Sequence, residues 1–145
     1  MGSDLIGYKC GKKISSADEL IIFEVKSKAS EVPPSTTARL QKAIDDSNKD
    51  VIRLAETLNA VVQRLIDRND IAEAKRVQRF QNATDTPYRK QYAAAAVCSN
   101  KSYSRDLLKM VSTMNHADPD LKLLVIHCDK LMAFINEMYR RACKC

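Results

Sequence analysis

Glu19-Leu-Ile-Ile-Phe-Glu-Val-Lys-Ser27 is the stretch on which the reading of this chain turns. Four apolar residues, Leu20 to Phe23, rich in β-branched and aromatic types, predict a buried strand. Side chains alternate along a strand, so Ile22, Glu24 and Lys26 share one face while Phe23 and Val25 share the other. An acid and a base thus stand two residues apart at the exit of a run that otherwise looks like core. Burying a charge costs several kcal/mol unless it is paired or bound to metal, so the placement asks for a reason.

Working outward, Asp4-Leu-Ile-Gly-Tyr-Lys-Cys10 predicts a short strand opening on an acid, and the polar Gly11–Asp18 segment a hairpin loop between the two strands. Pro33-Pro34 stops the second strand, and Ser35, Thr36 or Thr37 is placed to cap a helix. In that helix Leu40, Ile44, Val51, Leu54, Leu58, Val62 and Leu65 recur at steps of three, four or a combined seven, one apolar stripe. Lys42, Asp45, Asp46, Lys49, Arg53, Glu56 and Arg64 between them read as a solvated face. A break at Arg68-Asn69-Asp70 leads to a shorter helix, Ile71 to about Gln81, and Asn82–Pro87 reads as a loop. Four alanines in Tyr88–Ser99 favour helix by propensity, but the segment reads as a strand because a mixed sheet needs a member there. Ser104–Asn115 predicts a helix with Leu107, Leu108, Val111 and Met114 inward. Leu121–Cys128 predicts a second apolar strand. Asp129 should cap a last helix with Leu131, Phe134, Ile135, Met138 and Tyr139 pointing inward. Strands alternating with helices in this order predict an α/β fold, a mixed β-sheet flanked by helices.

The chain has 145 residues, 45% hydrophobic and 29% charged, consistent with a single domain spanning 1–145. Its net charge of +6 favours an anionic partner, nucleic acid above all. Five cysteines without a CxxC pair argue against a disulfide framework and suit the cytoplasm. No apolar run approaches the roughly 20 residues that cross a bilayer, and no signal peptide is evident, so no membrane role is expected. Met1-Gly2-Ser3 fits a vector-derived leader, in which case the chain would be a C-terminal fragment.

If the first two strands pair as a hairpin, Asp4 reaches the end of the second strand that carries Glu24. Two carboxylates there suit a hard divalent cation such as magnesium or manganese. Such a cation polarises a phosphate and acidifies a bound water. Lys26, on the same face, would position that water or neutralise charge on phosphate oxygens.

An Asp at a strand start, a hairpin, then Glu24-Val25-Lys26 after an apolar strand resembles the PD-(D/E)XK, or restriction-endonuclease-like, nuclease superfamily. The resemblance implies Asp4 and Glu24 as metal ligands, the Val25 backbone carbonyl as a third, and Lys26 as the catalytic lysine. It also implies an accessory polar residue on the following helix, for which Gln41 and Asp45 are the candidates. Ser3 stands where the family often has proline, and the family's N-terminal helix and first strand have no room before Asp4. A partner protein or a second copy would then complete the core. The layout is also similar to nuclease subunits of bacterial antiphage defence systems, including the Hachiman type. The expected activity is metal-dependent hydrolysis of phosphodiester bonds in DNA or RNA.

Blander readings compete. Glu24 and Lys26 also suit a structural ion pair, and the same fold would serve as a non-catalytic protein-interaction domain of a defence or regulatory complex. Asp45-Asp46 reads as a solvated helix face rather than a metal pair. His127-Cys128 lies in an apolar strand and reads as core, and His116 as exposed. Arg76, Arg79, Arg89 and Lys90, with Tyr88 and Tyr92, would form a basic patch tracking a nucleic-acid backbone, or simply a solvated face. Cys143-Lys-Cys145 resembles a prenylation signal, but no phosphate-binding glycine loop accompanies it. Frayed, exposed thiols are the simpler reading.

Overall fold

The computed structural model describes residues 4–28 and 36–144. Strand β1 (Leu5–Lys9) and strand β2 (Glu19–Lys28) form the expected antiparallel hairpin, with Leu5 opposite Phe23 and Lys9 opposite Glu19. Helix α1 (Thr36–Asp67) follows and runs unbroken for 32 residues. Asn69, at φ 60°, turns the chain, and the Asp70 carboxylate accepts from the Glu73 N–H to start α2 (Ile71–Gln78), which tightens into a 3₁₀ turn over Arg79–Gln81. Strand β3 (Arg89–Ser99), the short helix α3 (Arg105–Leu108), strand β4 (Lys122–Cys128) and helix α4 (Leu131–Ala142) complete the order. The sheet runs β1-β2-β3-β4, with β2, β3 and β4 parallel. The Ser35 cap position and Ser3 lie outside the described residues, as does Cys145. Among the described residues no helix is long and apolar enough to cross a membrane.

The core lies on one face of the sheet, between it and α1 with α2. Leu20 and Ile22 of β2, Tyr92 of β3, Leu54, Leu58 and Val62 of α1 and Phe80 form the larger cluster. Leu40, Ala43 and Ile44 meet Ala94 and Ala96 in the smaller one. The alanines explain themselves here. A strand of small residues lets a long helix lie close over the sheet centre, and tertiary packing overrides their helix propensity. Each fully buried Leu or Ile in this layer contributes on the order of 2 kcal/mol.

Asp18 organises the hairpin loop. Its carboxylate accepts from the Gly11 N–H at 3.1 Å and the Ser15 N–H at 2.9 Å and forms an ion pair with Arg79. Asp18 is buried, the Arg79 side chain is 10% exposed, and the Arg79 guanidinium lies 5.5 Å from the Phe80 ring centroid.

Several expectations need correction. The helix predicted over Ser104–Asn115 is helical only from Arg105 to Leu108. Beyond it, side chains of α1 divert the backbone: Gln41 bonds both the N–H and the carbonyl of Ser112, and Asn48 bonds the Asn115 carbonyl and the Ala117 N–H. Leu108 and Val111 do pack inward, but Leu107 and Met114 are exposed. Asp129 does not cap α4. It accepts instead from the Asn100 side chain, and Lys130 precedes the helix in a left-handed conformation. Of the apolar residues of α4 only Leu131 is buried; Phe134, Met138 and Tyr139 are exposed. His127 is exposed, stacked on Tyr103 and bonded to Asn100, while His116 is the buried histidine.

Candidate functional site at the exit of strand β2

The β-hairpin brings Asp4 to the Glu24 end of β2, as the alternation and the hairpin register require. Asp4 Oδ2 accepts a 2.9 Å hydrogen bond from the Val25 N–H. Glu24 is 5% exposed and faces α1. The Lys26 ammonium sits against Glu24 Oε1 and lies 3.1 Å from Asp46 Oδ2. Asp46 in turn holds Lys49 at 2.6 Å. Asp4, Glu24, Lys26, Asp46, Lys49, Asp50 and Arg53 line one pocket of about 220 Å³. Four carboxylates face three cations there.

The electrostatics follow from that crowding. Burial pushes the Glu24 carboxyl above its ordinary value; the Lys26 hydrogen bond pulls it back, and the charges of Asp4 and Asp50 push it up again. For Lys26, burial works downward, but hydrogen bonds to Glu24 and Asp46 carry the net shift upward, so its ammonium stays protonated. Asp46 is held below the usual range, first by its hydrogen bond to Lys49, against the opposing effect of burial. The pocket is therefore a place where added positive charge would relieve repulsion among carboxylates.

The donors present are oxygens, the type that suits a hard cation rather than zinc. Yet among the described residues no group of three or more His, Cys, Asp or Glu side chains stands in metal-holding geometry. Lys26 occupies the side of Glu24 that faces Asp46.

The other expected residues fall elsewhere. Gln41 and Asp45 bond each other at 3.0 Å, and Gln41 clamps the Ser112 segment, so both sit in a structural contact. Asp46, read from the sequence as solvated, instead joins Lys26. The helix residues that do line the pocket are Asp46, the consecutive pair Lys49 and Asp50 three and four residues on, and Arg53 four and three residues beyond that pair, all on one helix face. Asp50 is buried within the stripe that packs on the sheet. The signal was a charged residue at an inward position, which a seven-residue step from Ile44 to Val51 passes over. Of the basic residues, Arg76 and Arg79 line one pocket with Lys12 and Lys75; Arg79 pairs with Asp18, Arg76 with Glu73 and Arg89 with Glu19. Lys90 is exposed.

A four-stranded mixed sheet flanked by helices, with an acid- and lysine-lined pocket at one strand exit, defines an α/β protein with a charged pocket at the sheet. A family model, HamA, matches residues 1–142, and the chain belongs to the HamA family. That membership ties it to Hachiman-type antiphage defence, a system of several components. No curated protein and no solved structure matches the chain.

Proposed function

We propose that the chain is a metal-dependent nuclease domain of the PD-(D/E)XK type, acting within antiphage defence on DNA or RNA. The observation that carries the reading is the convergence of Asp4, Glu24 and Lys26 on one pocket, from two strands joined by a hairpin. Asp4 and Glu24 would hold a magnesium or manganese ion, with the Val25 carbonyl as a further oxygen. The ion would supply charge stabilisation and an acidified water. Hydrolysis forms a bond from the water oxygen to phosphorus and breaks one ester P–O bond, the water proton passing to solvent and the leaving oxygen taking one up. Lys26, held as an ammonium by Glu24 and Asp46, suits stabilising the phosphate oxygens in the transition state better than removing a proton. Glu24, raised by burial and by its acidic neighbours, suits sharing a cation that restores its ionised form. Asp46 positions Lys26.

The test is cleavage of plasmid and single-stranded oligonucleotides with magnesium or manganese, then with chelator. Metal-dependent nicking should fall by about 100-fold or more in Lys26→Ala and Glu24→Ala, the scale on which one charge-stabilising group acts. Variants that cut as well as the parent would place the activity elsewhere. Folded parent protein that leaves every substrate intact, with no gain in thermal stability from either metal, would favour the non-catalytic interaction domain.

A further inference from the structure

His127, near the C-terminal end of β4, is exposed, yet its ring is held on two sides. Tyr103, half-buried in the connection after β3, stacks on one face of the imidazole, 3.9 Å between centroids and 15° between planes. Asn100 donates a side-chain N–H to Asp129 at 2.8 Å, which turns its amide oxygen towards the ring. His127 Nδ1 lies 2.7 Å from that oxygen and is therefore the nitrogen that carries the proton. An exposed side chain ordinarily keeps its rotamer freedom and must lose it to make a contact. This one is fixed beforehand, with its second ring face and its Nε2 edge left to solvent. Tying the connection after β3 to the end of β4 requires only the Asn100–Asp129 bond, so the stacked imidazole needs another explanation.

Its place in the sheet points to one. Lys28, Cys98 and His127 stand opposite one another across β2, β3 and β4. Opposed residues share a sheet face, and Glu24 and Lys26 lie an even number of residues before Lys28. The imidazole is thus on the face that carries the charged pocket. Two strand spacings and one two-residue step put its Cα roughly 12 Å from that of Lys26. Around it, segments 100–106 and 127–130 carry Lys101, Arg105 and Lys130 against Asp106 and Asp129, and Asp106 pairs with Lys109. A polyanion therefore meets no net negative charge from these segments.

We propose that the Tyr103–His127 stack is a platform for an unpaired base of a nucleic-acid strand whose backbone enters the charged pocket. The base adds to the open face of the imidazole as a third ring, an interaction that every base makes through its π-face. A base inside a duplex has both faces covered by its neighbours, so the strand must be single or locally opened. The separation from Lys26 falls well within the roughly 4–16 nucleotides that a single-strand site covers. Asn100 is a positioning residue, acting through the ring it orients. The proposal rests on the nucleic-acid reading above for the identity of its ligand, but not on cleavage.

The test is binding of the full chain to a short fluorescent oligothymidylate and to an abasic oligonucleotide of the same length, in chelator, so that nothing is cut. The parent should prefer the oligothymidylate. His127→Ala should weaken it by about 5-fold or more, the scale of one stacked base, and leave the abasic strand unaffected. His127→Phe, which keeps a ring but no nitrogen, should recover the preference, and circular dichroism checks that each variant is folded. Equal affinity of the parent for both strands, an equal loss on both in His127→Ala, no recovery in His127→Phe, or no binding at millimolar oligonucleotide would overturn the proposal. A parent that binds in this way but cuts nothing with metal would retain the platform and remove the nuclease reading. One that cuts without preferring bases would do the reverse.

Discussion

Asp18 and Tyr92 are both buried polar residues, and they should behave in opposite ways when changed. Asp18→Ala leaves the largely covered Arg79 guanidinium without its ion pair and frees the Gly11 and Ser15 N–H groups, so the chain should lose about 3–5 kcal/mol, read from denaturant midpoints. A loss below about 1 kcal/mol would mean the pair is solvated in solution. Tyr92 is 3% exposed, its hydroxyl has no hydrogen-bond partner among the described residues, and burial, with added charge from Tyr88, Asp118 and Asp50, pushes its pKa from 10.0 to about 12. Between those values the folded chain keeps the proton and the unfolded chain loses it. Stability therefore falls as pH rises through the window, by about 1.4 kcal/mol per pH unit. Tyr92→Phe should remove that part of the fall, seen by comparing urea midpoints of both proteins at pH 9.5 and pH 11. Equal drops in the two would contradict it.

At the scale of elements, the hairpin and the long helix were legible because each carries its own local signal, whereas the third strand was read against the helix propensity of its alanines because the sheet needs a member there. Alternation set the faces of β2, the 3.6-residue stripe set α1, and two proline and turn-rich segments bounded the strands. What was not legible depends on contacts from far along the chain. The segment after Leu108 has a helical apolar pattern, but Gln41 and Asn48, some seventy residues earlier, take its backbone groups. Likewise α4 has an amphipathic pattern whose apolar side finds little to cover it. Two substitutions separate these readings. Leu131→Ala should cost about 2–4 kcal/mol, whereas Phe134→Ser should change stability by less than about 0.5 kcal/mol. A large loss at Phe134 would place α4 against the sheet. The candidate site was half legible: strand alternation yields Asp4, Glu24 and Lys26, while Asp46 and Asp50 are hidden because a helix stripe with polar members at Ser47 and Asp50 still reads as apolar when scanned seven residues at a time.

For the whole molecule, the sheet carries a pocket of opposed charges at the exit of β2 and a cleft of about 500 Å³ beside β1. They adjoin, since Asp4 and Arg53 line both cavities. The central claim remains the pocket. Manganese binding, followed by the loss of its free electron paramagnetic resonance signal, tests it most directly in the parent, Asp4→Asn, Glu24→Gln and Asp45→Asn. The account predicts one site in the parent, retained in Asp45→Asn and lost in the other two; equal binding in all four proteins, or none in the folded parent, would contradict it.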